Sequence, residues 1–460
     1  MRASTIRGLA GAAGAILATL VLASATAVAS PFHRLIRQGF AQVPTTAQCR
    51  AQLHMACYRP SQFQQAYDMT PLYKAGLTGR GRTIVIVDSF GSPKIEQDLR
   101  TFDRLFHLPA PPSFRIIQPA GRVPRYRRTN FERGEWSIET SLDVEYAHAM
   151  APGADILLVE TPVDETIGIK GFPPIIKAEN YVIDHGLGDV ISQSFGAPEP
   201  TFPSRRSIYA LRSAYFNARA HRVTVLGASG DGGATGESAF DPSNGDVNYF
   251  PFRVSSWPST DPLVTSVGGT RLHLGRRGRT RPDTVWNETT RVSGPNAGSG
   301  GVSRVFRRPS YQNAVAVAVG ASRGVPDLSM SAATDGGALV YTSVVNLADG
   351  LDGPSLHLVG GTSEATPLFA GIVAVADQLA GRDLGWLNPA LYALGDAPGS
   401  PLTDITIGNN SVFGTQQLGP IKGRRFTVHG FEAVPGYDLA SGLGTADGAR
   451  LVSALVRSAG

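Results

Sequence analysis

The segment "GGTSEATPLFAG" (360–371) places Ser363 after a glycine pair and a threonine, at the head of an apolar run. A serine there is either a helix N-cap or a hydroxyl exposed for attack on a carbonyl. Attack requires a partner that takes the proton. Of the nine histidines, none lies in a motif that pairs with Ser363. The densest set of titratable groups is in "ETSLDVEYAHAMAPGA" (139–154). As a helix, this segment puts Glu139 and Asp143 on one face, about 40° apart, with His148 about 180° from Glu139. Two adjacent carboxylates resist ionising together, so one pKa rises and the pair holds a proton between them. In acid solution such a pair can take a proton from a hydroxyl and return it to a leaving amine. The plainer alternative is an exposed acidic helix face. Asp231, in "ASGDGG" (228–233), has two readings as well. Protonated, it donates a hydrogen bond to an oxyanion; otherwise it caps a turn.

These groups need a scaffold, and the chain supplies an alternating pattern. "RTIVIVDSFG" (82–91) is a continuous apolar run with β-branched residues, ending at Asp88. A helix follows, with Ser92 as N-cap, Pro93 at its first position, and Ile95, Leu99, Phe102 and Phe106 at helical spacing. "ADILLVE" (154–160), "DVISQSFG" (189–196) and "RVTVLGASGDGG" (222–233) read as further strands, and "SRRSIYALRSAYFNARAH" (204–221) as a helix. The alternation implies an α/β chain: a parallel sheet covered by helices on both faces. Functional groups of such sheets gather at the carboxyl ends of the strands, where Asp88, "SQSFG" and "ASGDGG" fall.

The 460 residues suffice for one large domain. The net charge of +5 is small for this length and points to no nucleic-acid partner. The basic segments 121–128 and 275–282 read as solvated loops. Residues 1–29 read as a signal peptide, with Arg2 and Arg7 before an apolar stretch and cleavage before Ser30. The alternative is an uncleaved anchor. The expectation is a secreted, extracellular protein with no membrane attachment after cleavage. Cys49 and Cys57 are the two cysteines. In an exported chain they either pair across a small loop or remain free thiols.

Taken together, the motifs resemble the sedolisins, the serine-carboxyl peptidases, whose fold is subtilisin-like. "GGTSEATPLFAGI" is similar to the family's nucleophile segment, "ETSLDVEYAHAMAPGA" to its acidic helix, and "SGDGG" to its oxyanion segment. "ISQSFGAPE" (191–199) resembles its substrate-binding strand, and "DPLVTSVGGT" (261–270) and "RGVPDLS" (323–329) further segments. The resemblance runs from about residue 57 to the C-terminus. It implies residues 58–460 as a single peptidase domain after a short lead segment, 30–57. It implies Ser363 as nucleophile, Glu139 as base, Asp143 as its orienting partner and Asp231 as oxyanion donor, acting on polypeptides at acidic pH. Asp88 would support the acid pair, or simply end a strand. The backbone of Ser192, Gln193, Ser194, Phe195 and Gly196 would pair with an extended peptide. "TDITIGNN" (403–410) and "AVPGYDLASGLG" (433–444) resemble the family's calcium loop. One Ca2+ would take carboxylates from Asp404 and Asp438 and carbonyls from Ile405, Val434 and Gly436; the alternative is two acidic turns without metal. Two departures stand out: Phe195 where many relatives have tryptophan, and only Ser30 to Gln48 where they have a large prodomain. The resemblance thus comes without room for that prodomain; separately, the chain is expected to act as a monomer. A non-catalytic peptide-binding relative and a neutral-pH Asp88–His–Ser363 triad are the competing readings.

Overall fold

The computed structural model describes residues 34–458, except Thr166, Pro242 and 276–280. The expected signal peptide lies outside the described residues. The lead segment contains β1 (Arg34–Phe40), α1 (Thr46–Leu53) and β2 (Cys57–Tyr58). Thr45 caps α1: its hydroxyl accepts from the Gln48 N–H, and the Gln48 side chain accepts from the Thr45 N–H. A disulfide joins Cys49 of α1 to Cys57 of β2.

The central sheet follows in the order strand, helix, strand. Its elements are β3 (Thr83–Ser89), α2 (Ile95–Phe106), β4 (Phe114–Ile117), α3 (Phe131–Met150), β5 (Asp155–Thr161), α4 (Phe172–Asp184) and β6 (Val190–Gln193). Then come α5 (Ser213–His221), β7 (Thr224–Ala228), β8 (Thr265–Arg271), β9 (Thr284–Val285) and β10 (Leu328–Ser331). The spatial order is β9-β8-β7-β6-β3-β5-β4, with β10 also paired to β8. All pairings are parallel except β8 with β9. β3 and β5 are in register from Thr83↔Asp155 to Ser89↔Thr161. Their apolar runs are continuous because both faces are covered. Ile84 and Ile86 of β3 enter one core with α2, α3 and Leu368, Phe369 and Ile372. Val85 and Val87 enter another with α4 and α5.

The helices differ from expectation in three places. α2 begins at Ile95 after Lys94, with no side-chain cap, and Ser92 and Pro93 lie in the preceding turn. Phe90 and Gly91, at φ 67° and 70°, turn the chain after β3 and use those residues before helical geometry begins. The segment 204–221 is also divided, into Arg205–Ala210 and α5. α3 departs from an exposed acidic face: every residue from Arg133 to Met150 is buried. It is enclosed between the sheet and the last large helix.

A second sheet brings the lead segment to that helix. β11 (Gly337–Thr342) and β12 (Ser355–Gly360) form it with β1 and β2, in the order β1-β12-β11-β2. β12 runs straight into α6 (Thr362–Ala380); α7 (Gly448–Ser458) closes the chain. The glycine pair at this junction has two separate causes. A Cβ on Gly360 would lie 2.6 Å from the Ala332 carbonyl oxygen, and Gly361 has φ 119°. Pro367 lies inside α6 and supplies no N–H to the Ser363 carbonyl one turn earlier. Among the described residues, no helix is long and apolar enough to cross a membrane.

Candidate active site

Ser363 is the second residue of α6, so Gly361 rather than Ser363 occupies the cap position. Its hydroxyl is buried between the Ser194 carbonyl, at 3.3 Å, and the Glu139 carboxyl. A hydroxyl has one proton and two lone pairs. With a proton on Glu139 both contacts are met: the carboxyl donates to Ser363, and Ser363 donates to Ser194. With that proton on Asp143, Glu139 becomes the acceptor. Asp143, one helical turn along α3, accepts from the Ser194 hydroxyl at 2.8 Å. Ser194 therefore touches both ends of the serine–acid chain, through its carbonyl at one and its hydroxyl at the other.

The electrostatics follow from enclosure. Burial pushes the Glu139 carboxyl well above the carboxylate range; the charges of Asp88 and Asp231 add to this, and the Ser363 and Ser194 hydroxyls oppose it. Burial does the same to Asp143, helped by the charges of Glu139 and Asp88. Asp88, at the carboxyl end of β3, is pushed up to about 7, again chiefly by burial, with the Thr140 hydroxyl opposing. Glu139, Asp143 and Asp88 are 0% exposed and Asp231 2%. The charges that raise Glu139 and Asp143 come from other carboxylates: Asp88 and Asp231 on Glu139, and Glu139 and Asp88 on Asp143. Carboxyls in that setting cannot all ionise, so the cluster retains protons.

Asp231 sits in a turn clamped by a distant loop. The Ser299 N–H donates to the Gly230 carbonyl (2.8 Å), and the Ala297 N–H to that of Asp231 (3.0 Å). Asp231 Oδ1 accepts from the N–H and the hydroxyl of Thr362, at 2.8 and 2.9 Å. The Gly230 N–H donates to that same hydroxyl at 3.0 Å. Thr362 was not singled out from the sequence, though a hydroxyl beside a candidate nucleophile was available as the signal. His148 is remote from this cluster: its Nε2 lies 3.3 Å from Asp103 and 2.8 Å from the Pro109 carbonyl.

The expected peptide-binding stretch is corrected in part. Ser192 is paired with Ile86 on one side and Leu226 on the other, and Gln193 with Gly227, so their main chains belong to the central sheet. The Gln193 side chain is buried against Glu179 and Tyr215. Phe195 is buried between Trp136 and Phe172, at centroid distances of 6.5 and 6.3 Å. It shapes the core under the site rather than a wall above it. Ser194 remains beside Ser363, through its main-chain carbonyl.

The expected metal residues come together at a different corner. Asp404 Oδ2 accepts from the Gly436 N–H at 2.8 Å, and Asp438 Oδ2 from the Val434 N–H at 3.1 Å. Both carboxylates thus close on one short turn, while Ile405 packs beneath it with Val285 and Ala440. Among the described residues no three His, Cys, Asp or Glu side chains gather as a metal cluster. A cation here would need carbonyl oxygens, and an all-oxygen set of two carboxylates and a turn suits a hard ion such as Ca2+.

Comparison with known proteins gives the context of this geometry. No family model matches the chain. Kumamolisin from Bacillus sp. (strain MN-32) is 33% identical over 440 residues, covering 94% of this chain and 69% of that protein. The chain belongs to the sedolisin family. Sedolisin from Pseudomonas sp. (strain 101) is 28% identical over 404 residues, and human tripeptidyl-peptidase 1 is 31% identical over 340. This sedolisin-family chain spans 62% and 53% of the lengths of those two relatives. The solved structure of Pseudomonas sedolisin, a serine-carboxyl proteinase complexed with pseudo-iodotyrostatin, superposes with a TM-score of 0.69 at 26% identity. It covers 88% of this chain and 99% of that one. The fold is therefore subtilisin-like α/β, and the chain is an enzyme of the serine-carboxyl peptidase class.

Proposed function

We propose that the chain is a secreted serine-type endopeptidase that hydrolyses peptide bonds in acid solution through Ser363, Glu139, Asp143 and Asp231. The observation that carries this reading is the buried run from Ser363 through Glu139 and Asp143 to Ser194, with both acids raised by burial and by neighbouring carboxylates. Ser363 Oγ attacks the scissile carbonyl and its proton passes to Glu139, made able to accept by placing the shared proton on Asp143. Ser194 fixes the rotamer of Asp143 by its 2.8 Å hydrogen bond. Asp231, in its protonated form, donates to the oxyanion of the tetrahedral intermediate, held in place by Thr362. Glu139 then returns the proton to the leaving amine, and water repeats the sequence on the acyl-enzyme. Ser194 and Gly196 supply main-chain partners for an extended substrate.

Asp404 and Asp438, with the carbonyls of Ile405, Val434 and Gly436, would hold one Ca2+. It would tie the 404–405 segment to the 434–438 turn as a structural ion. Chelation is expected to lower the thermal midpoint in wild type and to leave Asp438→Asn unmoved. Secretion rests on the signal-like residues 1–29.

The test is digestion of an unfolded protein at acidic and neutral pH, with Ser363→Ala alongside. Cleavage in acid that vanishes in Ser363→Ala is the expected result. No cleavage at any acidic pH by folded protein, or equal cleavage by the alanine variant, contradicts the reading.

A further inference from the structure

The segments that carry Ser363 and Asp231 each lean on a loop behind them. The Gly361 N–H, two residues before Ser363, donates to the Ala332 carbonyl at 2.6 Å. Ala332 opens the turn that joins β10 to β11. Behind Asp231, the Ala297 N–H donates to the Asp231 carbonyl at 3.0 Å, and the Gly233 N–H donates to the Ala297 carbonyl at 2.8 Å. These two backing loops meet at Glu288, three residues after the end of β9.

The Glu288 carboxylate collects five donors. Oε1 accepts from the Arg271 guanidinium at 2.7 Å and from the Asp335 N–H at 2.9 Å. Oε2 accepts from the Trp286 indole N–H at 3.1 Å, the Thr334 N–H at 3.0 Å and the Thr334 hydroxyl. The Glu288 N–H in turn donates to the carbonyl of Asn296, the neighbour of Ala297, at 2.7 Å. One residue thus ties the turn behind Ser363 by its side chain and the loop behind Asp231 by its main chain. Trp286 packs between them, buried with Ala332 and Ala333, and its carbonyl accepts from the Gly298 N–H at 3.1 Å. The Glu288 side chain is 12% exposed. Burial opposes its charge, yet Thr334, the Asp335 N–H and the Arg271 charge together hold its carboxyl below the usual range. Glu139 and Asp143 are shifted the opposite way.

We propose that Glu288 is a positioning residue for the oxyanion site, setting the separation of Ser363 from Asp231 by holding both backing loops on one residue. The proposal rests on the peptidase reading above and adds to it the device that keeps nucleophile and oxyanion donor in register. Glu288 acts through the two loops and not on a reacting atom. The Thr362 bonds orient the Asp231 carboxyl; Glu288 fixes the main chains that carry Ser363 and Asp231. A donor helps only if it meets the oxygen at hydrogen-bond distance as the tetrahedral carbon forms, and a displacement of about 1 Å costs about 10²-fold in rate.

Two variants weaken this tie by different amounts. Glu288→Gln keeps the size but turns an amide NH2 toward donors, and Thr334→Val removes one hydroxyl and keeps the side chain's shape. The test compares a peptide aldehyde with the alcohol of the same sequence, both titrated by calorimetry in acid. Ser363 Oγ bonds to the aldehyde carbon, the carbonyl π bond breaks, and the serine proton passes by Glu139 to the new oxygen, giving a hemiacetal. The alcohol cannot add, so the ratio of the two dissociation constants reads the oxyanion site, whereas a damaged fold weakens both. Wild type is expected to prefer the aldehyde. That preference is expected to fall about 10²-fold in Glu288→Gln and about fivefold in Thr334→Val, with alcohol binding unchanged. On a peptide substrate the loss is expected in kcat, with KM within about twofold of wild type. Thr334→Val carries the test alone if the glutamine variant does not fold. An aldehyde preference equal in all folded forms, or aldehyde and alcohol weakened alike, overturns the proposal. No aldehyde preference and no cleavage by wild type contradicts the peptidase reading, and the positioning role falls with it.

Discussion

Asp231 and Thr362 hold each other across the site, and this pair is where a single side chain has the most direct chemical consequence. Asp231→Ala removes the proposed oxyanion donor and frees the Thr362 hydroxyl and N–H from their acceptor. A loss of about 10²–10³ in kcat is expected, with a smaller change in KM, from steady-state kinetics on a peptide substrate. At this scale much of the candidate site was legible. Ser363, Glu139, Asp143 and Asp231 each stand in a short segment whose residue types suggest a role. The partners were not legible, because they are made by distant segments: Ser194 meets Asp143 across 51 residues, and Thr362 meets Asp231 across 131. "SQSFG" shows the cost of reading a strand end as one unit. Ser192 and Gln193 are consumed by sheet pairing and Phe195 by the core, which leaves Ser194 and Gly196 for other work.

The elements fix how far Ser363 stands from the Glu139 carboxyl, its proposed base. α3 carries the acid pair and α6 the serine, and they pack directly: a Cβ on Gly371 would meet the Cβ of Met150 and lie 3.0 Å from its carbonyl carbon. Alanine ordinarily stabilises a helix interior over glycine by about 1 kcal/mol. Here the obstacle is backbone, which cannot yield, and overpacking costs about 1–3 kcal/mol. Gly371→Ala is therefore expected to lower stability in urea unfolding and to reduce kcat as the two helices separate, against the sign that propensity alone gives. The strands were legible because burial on both faces makes their apolar runs continuous, as in Ile84 to Val87. α3 was legible as a helix but not as a buried one. Its glutamates and aspartates look like a solvent face until the sheet and α6 close around them.

For the molecule as a whole, buried carboxyls tie stability to acidity. Burial pushes Glu179 up to about 8 against a hydrogen bond from Gln193, and Asp377 up to about 8 against one from the Leu384 N–H. Glu145 and Glu364 are also raised well above the usual range by burial. In the unfolded chain such groups titrate near pH 4. Each is raised on folding, so the folded state binds more protons between about pH 4 and each folded value. Its contribution to stability is complete below about pH 4 and is lost as pH rises through 7 and 8. The thermal midpoint is expected to fall steadily from pH 4 to pH 8, and Glu179→Gln to flatten the upper part of that fall. A flat or rising midpoint would contradict the assignment of these groups as protonated in the fold. The candidate catalytic acids stand in short sequence segments that point to them, but this wider reservoir does not. Glu179 sits in an ordinary amphipathic segment and Asp377 toward the end of an apolar one, and the packed layers remove their water.

Ser363 is proposed to be served by carboxyls and not by histidine. The pH dependence of kcat/KM on one peptide substrate tests it, measured for wild type, Glu139→Gln and His148→Ala. Maximal activity in acid is expected, with a loss of about 10⁴ in Glu139→Gln at every pH and an unchanged profile shape in His148→Ala. Maximal activity at or above neutrality, retained in Glu139→Gln and lost in His148→Ala, would contradict it.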